Sequence, residues 1–103
     1  MYARLIEFSG ADPEKREQAI EMIQGTVIPM LRQYRGYAGY ISLYDAEKRR
    51  AQALVLWDSE EAAEESEKEL AERRKELTSR IGLTIESVDL YEAPVVELEG
   101  ARV

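Results

Sequence analysis

The sequence predicts an α+β domain of the ferredoxin-like kind, β-α-β-β-α-β, with two helices on one face of a four-stranded antiparallel sheet. Three observations carry this. Short apolar runs rich in Tyr, Ile, Leu and Val occupy residues 2–8, 37–45, 51–57 and 84–93. Two longer segments, one after the first run and one after the third, repeat apolar residues at spacings of three and four, the period of a helix face. Only the polar turn "AEKRR" separates the second run from the third, so those two form a hairpin.

Each element has its own local cause. Residues 2–8 are apolar on both parities, as in a strand covered on both sides. Ser9-Gly10 ends that strand, Asp12 is placed to cap a helix, and Pro13 stands at the first helical position, where its missing N–H costs nothing. Ala19, Ile20, Ile23, Val27, Met30, Leu31 and Tyr34 then form the stripe of the first helix. Pro29 lies inside that stripe and leaves the carbonyl of Gly25 without its partner, so a kink is expected there. Gly36 ends the helix. In "YAGYISLYD", Tyr40, Ser42 and Tyr44 share one face, and Ile41 and Leu43 the other. Asp58 begins the second helix, with Glu61 completing a capping box, and the helix runs to about Arg80, closed by Gly82. In the last strand Ile85, Ser87, Asp89 and Tyr91 alternate against Glu86, Val88 and Leu90, and Pro94 breaks it. Residues 1–93 form one domain and residues 94–103 a tail.

Composition narrows the function. With 14 Lys and Arg against 21 Asp and Glu the net charge is −7, which opposes the phosphate contacts that dominate nucleic-acid affinity. The basic clusters Lys48-Arg49-Arg50 and Arg73-Arg74-Lys75 read as solvated spots on an acidic surface. Cysteine and histidine are both absent, which removes thiol nucleophiles, disulfides, histidine-based dyads and the usual zinc or copper ligands. No metal or organic cofactor is expected. Nothing approaches the length of a signal peptide core or a membrane span, so a cytoplasmic location is expected, without membrane contact. Apolar residues on both strand parities leave one sheet face needing cover. A second copy of the chain is the simplest cover, so a homodimer packed sheet against sheet is expected.

A proline-containing helix running into "RQYRGYAGYISLYD", a strand ending in "LVLWDSEEAA", and a charged helix leading to "VDLYEA" together resemble the antibiotic-biosynthesis-monooxygenase-like family of dimeric α+β barrels. The likeness covers about residues 1–98, and its most specific pieces are Gly36-Tyr37-x-Gly39 and Trp57-x-Ser59-x-x-Ala62. Both are landmarks of the fold, not catalytic signatures. The resemblance implies a pocket between sheet and helices, open at one side, holding polycyclic aromatic, quinol or haem ligands in different members. Several members oxidise such substrates with O2 and no metal or flavin. It also implies that the tail reaches the partner subunit, here through residues 95–98. The functional asparagine, tryptophan and histidine of the haem-degrading branch fall at Glu7, Ser66 and Glu76 in this chain, and all three differ. Haem degradation with a histidine ligand is therefore rejected.

The candidate ligand-binding residues are Trp57, Tyr40, Tyr44, Ser66, Arg73 and Arg74. Trp57 suits either a core anchor at the strand end or a wall that stacks on an aromatic ligand. Tyr40 and Tyr44 flank Ser42 in a strip of hydroxyls fit for a phenolic ligand or for the dimer interface. The apolar stripe of the second helix, Ala62, Ala63, Ser66, Leu70, Leu77 and Ile81, lacks a member near position 73 or 74, where both residues are arginine. An inward arginine binds an anionic group or lays its stem along apolar surface. Small Ala63 and Ser66 either let the helix sit close or leave space beneath it. Glu7 and Asp89 are carboxylates in apolar strands, where burial raises a carboxyl pKa, and Arg4 is available to pair with either. No catalytic residue is identified, and two readings stay open. One is a cofactor-free monooxygenase of a phenol or quinol; the other is a non-catalytic module that binds a small apolar or aromatic ligand or serves interaction alone.

Overall fold

A computed structural model describes residues 1–100; the last three residues of the expected tail 94–103 lie outside the described residues. Strands β1 (Tyr2–Ser9), β2 (Tyr37–Asp45), β3 (Arg50–Trp57) and β4 (Thr84–Glu92) form one antiparallel sheet in the order β2-β3-β1-β4. A helical segment between β1 and β2 and the long helix between β3 and β4 pack on the same face, which establishes the ferredoxin-like fold.

The first segment starts where the sequence says. Asp12 Oδ1 accepts from the amide of Glu14 at 2.9 Å, and Pro13 opens a short 3-10 turn, Pro13–Lys15. Helix α1 (Arg16–Met22) follows, then a wide π turn, Ile23–Val27, then helix α2 (Ile28–Leu31). The expected kink at Pro29 is resolved by this turn. Pro29 has no N–H to give Gly25, and the chain takes up an extra residue just before it, with the Ile28 amide donating to Ile23 O. Gly36 sits at φ 88° beyond α2, and its carbonyl accepts from the amide of Asp58 at 2.8 Å. That bond ties the first helical segment to the end of β3.

Helix α3 spans Glu60–Arg80. Its cap is Ser59 and not the expected Asp58: Ser59 Oγ accepts from the Ala62 amide at 3.1 Å. The physical reason is the hydrogen bond from Asp58 to Gly36, which keeps Asp58 in the connection that leaves the sheet. The helix closes at Gly82, φ 72°, with Leu83 donating to Thr78 O at 3.0 Å.

The registers decide which side chains meet. Tyr2, Arg4, Ile6 and Phe8 of β1 lie opposite Trp57, Val55, Ala53 and Ala51 of β3. Tyr40, Ser42 and Tyr44 of β2 lie opposite Val55, Ala53 and Ala51. All therefore belong to one face. Ile6, Phe8, Ala53, Val55 and Trp57 from that face form the core with Leu31, Ala63 and Leu70 from the helices, so it is the helix-covered face. The other face carries Ala3, Leu5, Ile41, Leu43, Leu54, Leu56 and Tyr91, with Leu43 45% and Tyr91 54% exposed. No helix among the described residues is long and apolar enough to cross a membrane.

Strand β4 departs from simple alternation. Glu7 pairs with Ser87 but Phe8 pairs with Ile85, so Glu86 is an extra residue at a β-bulge. Ile85 is thereby turned onto the helix side with Val88 and Leu90, not left with Ser87 and Asp89 as alternation implied. The bulge residue Glu86 accepts a hydrogen bond from Ser9 Oγ at 2.6 Å.

Candidate functional site

The helix-covered face is not closed at the β4 edge. A groove of about 480 Å³ runs between α3 and β4. Ala71, Arg74, Lys75 and Thr78 line it from the helix, with Ile85 and Val88 on the strand side and Glu67 at one end. Its strand wall depends on the bulge, which puts Ile85 on the same side of β4 as Val88.

The polar part of this site follows from helix period. Glu67 and Arg74 are seven residues apart, two turns, and so lie on one stripe. Arg74 grips Glu67 with both ends of its guanidinium, Nη2 to Oε1 at 2.6 Å and Nη1 to Oε2 at 2.9 Å. From β1, Arg4 brings a second guanidinium, its Nε 3.6 Å from Glu67 Oε1, and its Nη2 donates to Ala63 O at 3.1 Å. The Arg4 and Arg74 side chains are only 12% and 14% exposed. Burial by itself pushes the Glu67 carboxyl up, but the hydrogen bonds of Arg74 and the charges of Arg74 and Arg4 outweigh it and hold the group below its ordinary range. Glu67 is thus an ionised counter-ion. Thr78 Oγ1, on the lining, donates to Arg74 O at 2.8 Å and keeps its capacity to accept.

The six residues singled out from the sequence do not meet in one cavity. Arg74 lines the groove. Arg73 is exposed and lies on the other flank of α3, near the Tyr34 hydroxyl, which donates to Glu69 at 2.7 Å. Ser66 is buried, with its hydroxyl spent on Ala63 O at 3.1 Å. Trp57 is 1% exposed and meets Tyr37 edge-on, ring centroids 6.0 Å apart, which makes it a core anchor. Tyr40 packs against the core from the helix side, and burial, with Tyr37 close by, pushes its hydroxyl up to about 12, so it is neutral at physiological pH. Tyr44 is at the open end of the same face, beneath the Arg16 guanidinium at 5.8 Å. The tyrosine strip therefore faces the helices and not the bare side of the sheet.

Two expectations about carboxylates are corrected. Arg4 pairs with Glu67 and with neither Glu7 nor Asp89, because Glu7 and Asp89 project from the opposite face. The Glu7 carboxyl is lowered and not raised: Ser87 and Gln52 donate to it at 2.9 and 3.0 Å, and these bonds, with Arg50 nearby, outweigh the effect of burial. Sequence reasoning missed Glu67, Thr78, Ile85 and Val88. The seven-residue spacing marks the Glu67–Arg74 pair; nothing local marks the bulge. Among the described residues no three carboxylates converge as a cation site requires.

No family model and no curated protein matches the sequence. Solved structures do match its fold, among them antibiotic-biosynthesis-monooxygenase-like and ferredoxin-like proteins. A protein from Deinococcus radiodurans assigned as an antibiotic biosynthesis monooxygenase matches with a TM-score of 0.70 at 16% identity, over 97% of this chain and 100% of that one. SnoaB, a cofactor-independent oxygenase from Streptomyces nogalater, matches with a TM-score of 0.66 at 13% identity, over 95% and 97%. A dimeric ferredoxin-like protein from an uncultured marine organism matches with a TM-score of 0.65 at 12% identity, over 95% and 98%. The fold is the one these proteins share.

Proposed function

We propose that this chain binds a small, largely apolar aromatic molecule in the α3–β4 groove and acts on it as a cofactor-independent oxygenase of a phenol or quinol. The groove carries this reading: it offers an apolar strand wall, Arg74 and Lys75 on its helix side and an open mouth, on a fold shared with an oxygenase that needs no cofactor. In such a reaction O2 accepts four electrons. Two come with the hydrogens lost from the phenol, O–H and ring C–H, and two from the new carbon–oxygen bond. One oxygen atom enters the ring as a quinone carbonyl, and the other leaves with the two hydrogens as water. The chain's contribution is to hold the ring on Ile85 and Val88 and exclude water from it. The test is O2 consumption with a panel of quinols, aerobic against anaerobic. Uptake that saturates with substrate supports the reading, and none above buffer for any member refutes it for that class.

A second reading is favoured by one observation. Glu67, the only carboxylate lining the groove among the described residues, is clamped by two guanidiniums and held ionised, which makes it a poor proton acceptor. Without another base the same groove serves a binding protein that performs no chemistry.

We further propose that the bare sheet face, with Leu5, Ile41, Leu43 and Leu54, packs against a second copy, as fits the likeness to a dimeric protein. Val95 and Leu98 of the tail, 82% and 59% exposed, reach the partner in that arrangement. A monomeric mass by light scattering at micromolar concentration sinks the dimer. A reducing, cytoplasmic setting suits a chain without cysteine.

A further inference from the structure

The charges beside the groove do not balance. Arg74, on the lining, and Arg4, behind Glu67 and outside the lining, are both largely buried and share the carboxylate of Glu67, so among the described residues this cluster carries one excess positive charge. A third cation, Lys75, stands on the lining and, among the described residues, pairs with exposed Glu72 at 3.8 Å. This excess is local, since the chain as a whole carries −7. Partly buried charges are kept when something pairs them, and desolvation makes each guanidinium a stronger anion site than it is in water. Arg4 spends an N–H on the Ala63 carbonyl, which fixes its fork on the α3 side of the sheet, while the bidentate grip on Glu67 fixes Arg74.

We infer that the groove selects monoanionic ligands, a carboxylate or phenolate carried on a flat apolar body. The anion sits beside Arg74 and Lys75, and the body lies on Ile85, Val88 and Ala71. Glu67 has the part of a spacer that holds two like charges together until the ligand's anion completes the set. This inference needs only that the groove is a ligand site, so it stands or falls apart from catalysis. For a phenol substrate it adds a consequence: a nearby guanidinium favours the phenolate, the form that gives electrons to O2 most readily.

The test compares 2-naphthoate with its neutral isostere 2-naphthamide, and 2-naphthol across its own titration, by calorimetry and by amide NMR shifts at Ile85 and Val88. Naphthoate is expected to bind about tenfold tighter than naphthamide at low salt, one charge-assisted hydrogen bond's worth, with the gap closing as salt rises. Arg74→Gln should erase the preference, and Glu67→Gln should increase it. A naphthamide that binds as well as naphthoate, shifts that map outside the groove, or no binding by either overturns the inference. The wild-type comparison decides it even if the Arg74 variant fails to fold. Anion preference without O2 uptake leaves this inference standing and removes the oxygenase. Uptake with neutral quinols and no anion preference does the reverse.

Discussion

Replacing Gly36 by alanine tests the joint that orients the end of β3 against the helices. Gly36 has φ 88°, and a Cβ placed there comes within 2.5 Å of Ala62 Cβ and 2.6 Å of Asp58 Oδ1. The left-handed backbone alone costs a side chain about 1–2 kcal/mol. Forcing a methyl into packed atoms adds about 1–3 kcal/mol. The combined loss of about 3 kcal/mol is a large share of the roughly 5–15 kcal/mol that stabilises a domain. For a chain of this size it lowers the midpoint by about 12–24 °C. Urea and thermal unfolding followed by far-UV circular dichroism give both numbers. Repeating Gly36→Ala in an Ala62→Gly background separates the causes: removing the Ala62 methyl should recover about 1 kcal/mol of the loss, while the backbone part remains. A loss below about 1 kcal/mol, or one identical in both backgrounds, would show that neither strain nor the Ala62 contact is as described.

Three further outcomes are expected. Arg49, in the β2–β3 turn, holds φ 51°, and Arg49→Gly should raise stability by about 0.5–1 kcal/mol, read from the urea midpoint at unchanged slope. Glu67 has a folded pKa below its ordinary 4.5, so its contribution is complete above pH 4.5 and is lost as pH falls through the lower folded value. The stability of the wild type should accordingly fall more steeply with acid below pH 4.5 than that of Glu67→Gln, and parallel curves would refute the ion-pair assignment. Leu54→Glu puts a charge in the middle of the bare sheet face and should give a folded monomer by light scattering, with the far-UV spectrum unchanged.

Much of the fold was legible because its signals are local. Asp12-Pro13, Gly36, the hairpin and Gly82 act through their own backbone and near neighbours, and each stands where expected. Alternation also put Trp57 with Val55 and Ala53, and Tyr40 with Tyr44, on shared faces. The same parity in β1 puts Arg4 in phase with Ile6 and Phe8 and on the opposite face from Glu7. Helix period left Arg73 and Arg74 tied for the gap in the α3 stripe, and packing chose Arg74. The site was less legible. Its carboxylate, Glu67, lies among many similar glutamates, and only the arrival of Arg4 from β1 distinguishes it.

The sequence by itself determined the element order, the cap at Asp12, the closing glycines Gly36 and Gly82, the faces of β2 and β3, and the absence of cysteine and histidine chemistry, because these depend on residue type and short spacings. Tertiary structure alone decided that Trp57 is sealed in the core, that β4 slips by one residue at Glu86, and that Arg4, Glu67 and Arg74 meet. The slip rests on the register between β1 and β4, partners about eighty residues apart in the chain, while Trp57 and the Arg4–Glu67 contact rest on β1 meeting β3 and α3. A one-residue slip moves a side chain to the opposite face, and no local pattern in β4 records it.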